Sequence, residues 1–139
     1  NCREAIRGTQ AVASAVFMAN HGESKDAIRN YLSRKFRLDL DYSIADIKAG
    51  YSFDSSTNYT VPPAIVAFLD SADYESAVRN AVSLGGDADT IACIAGGIAE
   101  AFYGEIPEEL RNFCYSRLDY SIKSVAIEFC QKYKISLYK

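Results

Sequence analysis

The chain has 139 residues, 49% of them hydrophobic and 24% charged, with a formal net charge of -3. That length suits one domain with a real core, the composition excludes a disordered chain, and the acidic balance excludes a basic nucleic-acid-binding face. The densest basic stretch, Arg34-Lys35-Phe36-Arg37, reads as a solvated helix end, and no apolar run approaches the roughly 20 residues that span a bilayer.

Helical spacing runs through almost the whole sequence. From Glu4 to Asn20, Ile6, Val12, Val16 and Phe17 recur near helical intervals, with small Ala11, Ala13 and Ala15 between them. Gly22 reads as a stop, and Ser24 as the cap of a second helix through Ile28, Tyr31, Leu32 and Phe36. Asp39 to Asp41 reads as a turn, and Ser43 caps a short helix through Ile44 and Ile47. The polar stretch "AGYSFDSSTNYTVPP" reads as the one long loop, with Pro62 and Pro63 in the first turn of the next helix, where a missing N–H costs nothing. That helix continues through "AIVAFLDS". Asp73 then caps another from Tyr74 to Leu84, which Gly85-Gly86 breaks.

A helix starting at Ala88 or Asp89 runs through Ile91, Ile94, Ile98 and Phe102 to Gly104, with Pro107 beyond. It is apolar around most of its circumference, which predicts the most buried helix of the chain. Two more helices cover roughly Glu108 to Arg117 and Tyr120 to Tyr133. Strand-type alternation is scarce. The expected class is all-α, a single domain over residues 1–139.

The cysteines are Cys2, Cys93, Cys114 and Cys130. None forms a C-x-x-C pair and His21 is near none of them in sequence, which argues against zinc. Cys93 inside an apolar helical run, and Cys130 beside Phe129, read as buried free thiols. That usage points to a reducing, cytoplasmic compartment. No signal peptide is visible, and Asn1 already lies inside a helical pattern, which reads as a cut end.

The chemistry concentrates in "LGGDADTIACIAGG", Leu84 to Gly97. Gly85-Gly86 permits a tight entry, and Asp87, Asp89 and Thr90 stand where a helix is about to begin. Two aspartates two apart in a non-helical lead-in can converge with the Thr90 hydroxyl on one point. Hard oxygen donors so arranged suit Mg²⁺, Mn²⁺ or Ca²⁺. Helix capping is the plain alternative, since Asp is a favoured cap and the macrodipole stabilises acids there. An EF-hand loop is excluded, because its fifth position is Ile91 and its sixth Ala92. A haloacid-dehalogenase D-x-D-x-T also fails, because the segment before the motif is helical and no strand–helix alternation follows.

The run "AVRNAVSLGGDADTIACIAGGIAEAFYGEIPEEL" resembles the C-terminal signature of the ADP-ribosylglycohydrolase family. The similarity extends upstream through "VPPAIVAFLDSADYESAVRNA" to "NCREAIRGTQAVASAVFMA", which resembles the family helix after its T-H-x-x-P turn, although Cys2 and Arg3 stand where relatives often have His and Pro. The resemblance implies an all-α hydrolase with a binuclear Mg²⁺ centre, Mn²⁺ in some members. It would cleave the glycosidic bond between ADP-ribose and a protein side chain or small acceptor. Asp87, Asp89 and Thr90 carry over as metal ligands. The acid–base glutamate and a T-D-D-T/S ligand motif belong to the family's N-terminal half and have no counterpart here, so the expected partners include an N-terminal fragment or second chain. The rival expectation is a degenerate, non-catalytic homologue that binds a nucleotide or metal, or only packs against a partner.

Most tyrosines, Tyr42, Tyr51, Tyr59, Tyr74, Tyr103 and Tyr115 among them, read as helix-interface residues with the hydroxyl at the rim. Tyr51, Phe53 and Tyr59 lie in the long loop, where one of them could form a wall of the ligand site. Asp70, Asp73 and Glu75 read as a helix end and a cap, and Glu4 as a solvated first-turn acid.

Overall fold

A computed structural model describes residues 3–134; Cys2 lies outside the described residues. The chain is all-α, with no strand among the described residues. It divides into two compact units, Asn1–Glu105 and Ile106–Lys139. The first holds α1 (Arg3–Asn20), α2 (Lys25–Phe36), α3 (Ile44–Lys48), α4 (Thr57–Leu69), α5 (Tyr74–Ser83) and α6 (Ala88–Tyr103). The second holds α7 (Glu108–Arg117) and α8 (Tyr120–Tyr133), neither of which contains a buried residue. No described helix is long and apolar enough to cross a membrane.

Helix starts follow from local side-chain bonds. Ser24 Oγ accepts the Ala27 N–H at 3.2 Å. Ser43 and Asp46 satisfy each other's backbone N–H groups across the start of α3, and Asp73 and Ser76 do the same for α5. Asp70, at the C-terminus of α4, reaches across to α3, where its Oδ2 accepts the Ile44 N–H at 2.8 Å. Beside it, burial first and then Asp39, Tyr51 and Asp70 push the Tyr42 hydroxyl well above the usual tyrosine range.

The long loop is shorter than its composition implies, because α4 already starts at Thr57. Pro62 and Pro63 therefore sit inside the helix, and Pro63 cannot supply the N–H that the Tyr59 carbonyl would normally accept. The Tyr51 hydroxyl donates to that carbonyl instead. A tertiary bond thus replaces a missing helical one.

α4, not α6, is the most buried helix. Ala64, Ile65, Val66, Ala67 and Phe68 are all fully buried, because α1, α3, α5 and α6 pack around this one segment. α6 buries Ile91, Ala95, Ile98 and Ala99 against α1, α4 and α5, but Asp89, Thr90, Cys93, Gly97 and Glu100 leave one side open to solvent. Small residues made that side look apolar in the sequence.

A similar reversal holds in α1. Its buried row is Gly8, Ala11, Ala15 and Ala19, whereas Ile6 and Phe17 are 52% and 62% exposed. Small side chains win this face because they let backbones approach. A Cβ on Gly8 would come within 2.2 Å of the Thr57 methyl. The expected thiol burial is also not observed, since Cys93 and Cys114 are exposed and Cys130 is half-buried, all three free.

One cation joins three of these helices. Lys25 Nζ donates to the carbonyls of Phe68 at 2.9 Å and Leu69 at 3.2 Å and to that of Ser71. It stands 5.0, 5.7 and 5.5 Å from the ring centroids of Phe68, Phe102 and Tyr103. The C-terminus of α4 concentrates negative partial charge, so an ammonium group belongs there. Lys25→Met keeps the stem and removes the donors. It is expected to lower stability by about 1.5–3 kcal/mol, the worth of hydrogen bonds to a charged group. Urea unfolding followed by circular dichroism measures it, and an unchanged midpoint would show that water replaces the ammonium at no cost.

Candidate metal centre

α5 ends at Ser83, and the chain then passes through two successive left-handed residues, Gly85 (φ +71) and Gly86 (φ +61). Glycine is needed at 86 on two grounds. The backbone is left-handed, and a Cβ there would come within 2.9 Å of Tyr51 Cε1 and 3.1 Å of the Ser52 carbonyl oxygen. The turn reverses the chain so that Asp87 stands at the N-cap position of α6, half-buried, with Asp89 and Thr90 exposed just inside. The helix is anchored behind them by Ile91, fully buried, whose N–H bonds the Asp87 carbonyl at 3.1 Å.

The three residues singled out in the sequence come together. Thr90 Oγ1 donates to Asp87 Oδ1 at 3.1 Å, and Asp89 Oδ1 accepts the Thr90 N–H at 2.9 Å. Asp87 makes no side-chain capping bond to the first turn of α6. It differs in this from Ser24, Ser43, Asp73 and Asp119, whose side chains all accept a backbone N–H. A side-chain capping bond therefore does not describe Asp87, as it does not describe Ser56 at the start of α4. First the Thr90 N–H, then the neighbouring Asp87 side chain, holds the Asp89 carboxyl below the usual carboxylate range. Two carboxyl groups and a hydroxyl thus converge at the start of one helix.

The donor set is all oxygen, which fits Mg²⁺ or Mn²⁺ in kind. It is small in number: among the described residues no group of three His, Cys, Asp or Glu side chains could hold a metal ion. Mg²⁺ commonly takes only one or two carboxylates, with waters and substrate oxygens completing the octahedron. Asp87, Asp89 and Thr90 are thus suited to hold part of such a sphere.

The loop over residues 49–56 supplies the adjoining wall. Tyr51 and Ser52 lie against Gly86, and Phe53 next to them is 71% exposed. Burial first, then the Asp87 and Asp54 carboxylates and Tyr59, push the Tyr51 hydroxyl above its usual range. Tyr59 itself belongs to the first turn of α4. The sequence singled out these aromatics as loop residues but gave no sign of the contact between Tyr51 and Gly86. The one local hint was Pro63, four residues after a carbonyl that needs another donor.

Comparison with known proteins gives a consistent picture. The ADP-ribosylglycohydrolase family matches residues 1–134. An uncharacterized protein of Archaeoglobus fulgidus is 38% identical over 88 residues, covering 60% of this chain and 28% of that protein. The ADP-ribosylhydrolase ARH3 of Homo sapiens is 38% identical over 68 residues, covering 40% of this chain and 19% of its own length. The chain therefore aligns with less than a third of either relative. No solved structure matches it.

Proposed function

The chain belongs to the ADP-ribosylglycohydrolase family, and on that premise we propose that Asp87, Asp89 and Thr90 form one half of a divalent-metal centre that hydrolyses the glycosidic bond of ADP-ribose. The acceptor released is a protein side chain or a small molecule. The observation that carries the reading is the Asp87 carboxylate, which stands at the start of α6 with no capping bond and beside a second carboxylate.

In this reading Asp87 and Asp89 would hold Mg²⁺, or Mn²⁺, with Thr90 Oγ1 as a further oxygen donor. Bound there, the metal supplies Lewis-acid stabilisation of charge at the anomeric centre and orients the ribose hydroxyls and a water. Gly85 and Gly86 aim Asp87, and Ile91 fixes the helix behind it. The 49–56 loop meets the turn through Tyr51 and Ser52 and carries exposed Phe53, against which a planar ligand group can lie. The remaining ligands and the acid–base carboxylate come from a segment or second chain beyond these residues, since no third carboxylate among the described residues joins the pair.

The test is metal removal from the complete protein that carries this segment. With an ADP-ribosylated protein as substrate, ADP-ribose release is expected in Mg²⁺, to vanish in excess chelator, and to return on adding Mg²⁺ back. Binding of ADP-ribose without release, in any metal, would favour the non-catalytic module instead. Release that persists in chelator would remove the metal from the mechanism.

A further inference from the structure

The most informative contact outside the three oxygen donors joins the 49–56 loop to the turn before α6. The ring of Tyr51 occupies the space that a side chain on residue 86 would need, with Cε1 2.9 Å and Cδ1 3.3 Å from the position of a Cβ there. Its hydroxyl is held at the far end by the Tyr59 carbonyl, which is available because Pro63 has no N–H to offer it. A continuous mechanical path therefore runs from α4 through the Tyr51 hydroxyl and ring to Gly86, and through one peptide bond to Asp87. The left-handed backbone at Gly85 and Gly86 is the most permissive stretch of this region. Left unsupported, two adjacent glycines would let Asp87 swing.

We propose that Tyr51 is a positioning residue: seated on Gly86 and hooked to the carbonyl freed by Pro63, it fixes the direction in which Asp87 presents its carboxylate. The proposal rests on Asp87 being a metal ligand, but the clamp itself can be measured without any metal. Tyr51 acts through the turn and does not itself touch the ion.

The experiment has two arms on the full chain. In the metal-free arm, amide hydrogen exchange is followed at Ile91, whose N–H bonds the Asp87 carbonyl, with fully buried Leu32 in α2 as reference. Tyr51→Phe keeps the ring and loses the hook, so Ile91 exchange should speed up by about 2–12-fold, the equivalent of one net hydrogen bond of about 0.5–1.5 kcal/mol. Tyr51→Ala should exceed that, while Leu32 stays within about twofold in both variants. Parallel acceleration at Ile91 and Leu32 would mark a general loss of stability and overturn the clamp, as would no change at Ile91.

In the second arm, Mn²⁺ is titrated into the complete protein that carries this segment and the free ion read by electron paramagnetic resonance. Tyr51→Ala should weaken Mn²⁺ binding by about 10–100-fold, the usual cost of losing a group that orients a ligand, and Tyr51→Phe by less. Equal Mn²⁺ affinity in the parent and Tyr51→Ala overturns the positioning role when Asp87→Ala weakens binding. If Asp87→Ala binds Mn²⁺ as the parent does, the metal reading has failed, and the exchange arm alone decides whether Tyr51 holds the turn.

Discussion

Asp87→Ala is expected to reduce ADP-ribose release by the complete protein at least about 100-fold, since even the outer-shell partners of metal ligands are worth about 10–100-fold. Metal-free stability should change by no more than about 0.5 kcal/mol, as for a surface substitution that breaks no special feature. The two effects separate a ligand from a cap. A capping aspartate would cost about 0.5–2 kcal/mol on replacement, but the Asp87 side chain makes no such bond; it accepts the Thr90 hydroxyl at 3.1 Å, beside the Asp89 carboxyl.

Asp89→Ala should be equally inactive, with a different stability signature. The Thr90 N–H, and after it the Asp87 side chain, lowers the Asp89 carboxyl below its ordinary range. Its contribution to stability is then present above the unfolded-state value and lost as pH falls through the depressed folded one. Any difference in melting between parent and Asp89→Ala at neutral pH should therefore close in strong acid. Thermal melts across that range, beside the release assay, measure both variants. Asp87→Ala that melts lower by a full cap and still hydrolyses would return this residue to a capping role.

Phe68→Ala is expected to destabilise the first unit by about 3–5 kcal/mol, which is a large fraction of the roughly 5–15 kcal/mol that holds a domain folded. The ring is fully buried at the centre of the core. It meets Phe102 edge-on with centroids 5.2 Å apart and Tyr103 at 6.5 Å, and the Lys25 ammonium stands over it at 5.0 Å. Truncation leaves a cavity among helices α2, α4 and α6 that backbone shifts can close only in part. Urea unfolding should show a lower midpoint with an unchanged slope. A loss below about 1 kcal/mol would mean that this site collapses around the smaller side chain, and that α4 is not where the unit's cohesion sits. Phe53, 71% exposed, provides the contrast: its replacement by alanine should stay within about 0.5 kcal/mol.

Helix positions were legible in the sequence because the signals that set them are local. Ser24, Ser43 and Asp73 each bond an N–H three residues away, and Gly104 ends α6 within its own turn. "GGDADT" was legible for the same reason. Its donors are nearly consecutive, so any turn that starts a helix there brings Asp87, Asp89 and Thr90 together. Which helix lies at the centre was decided only by packing. An apolar count cannot separate α4 from α6, because burial depends on how many neighbours surround a segment, and Cys93 and Gly97 cost little to leave in water. Periodicity likewise favoured Ile6 and Phe17 in α1, while close approach of backbones selected Gly8, Ala11, Ala15 and Ala19. At α4 Tyr51 takes over a carbonyl that Pro63 leaves open. Lys25 reaches carbonyls 43 and 44 residues away. Such contacts join side chains through space rather than along the chain, so local propensity contains no record of them. Only the assembled helices bring Tyr51 onto Gly86 and give the turn before α6 its wall.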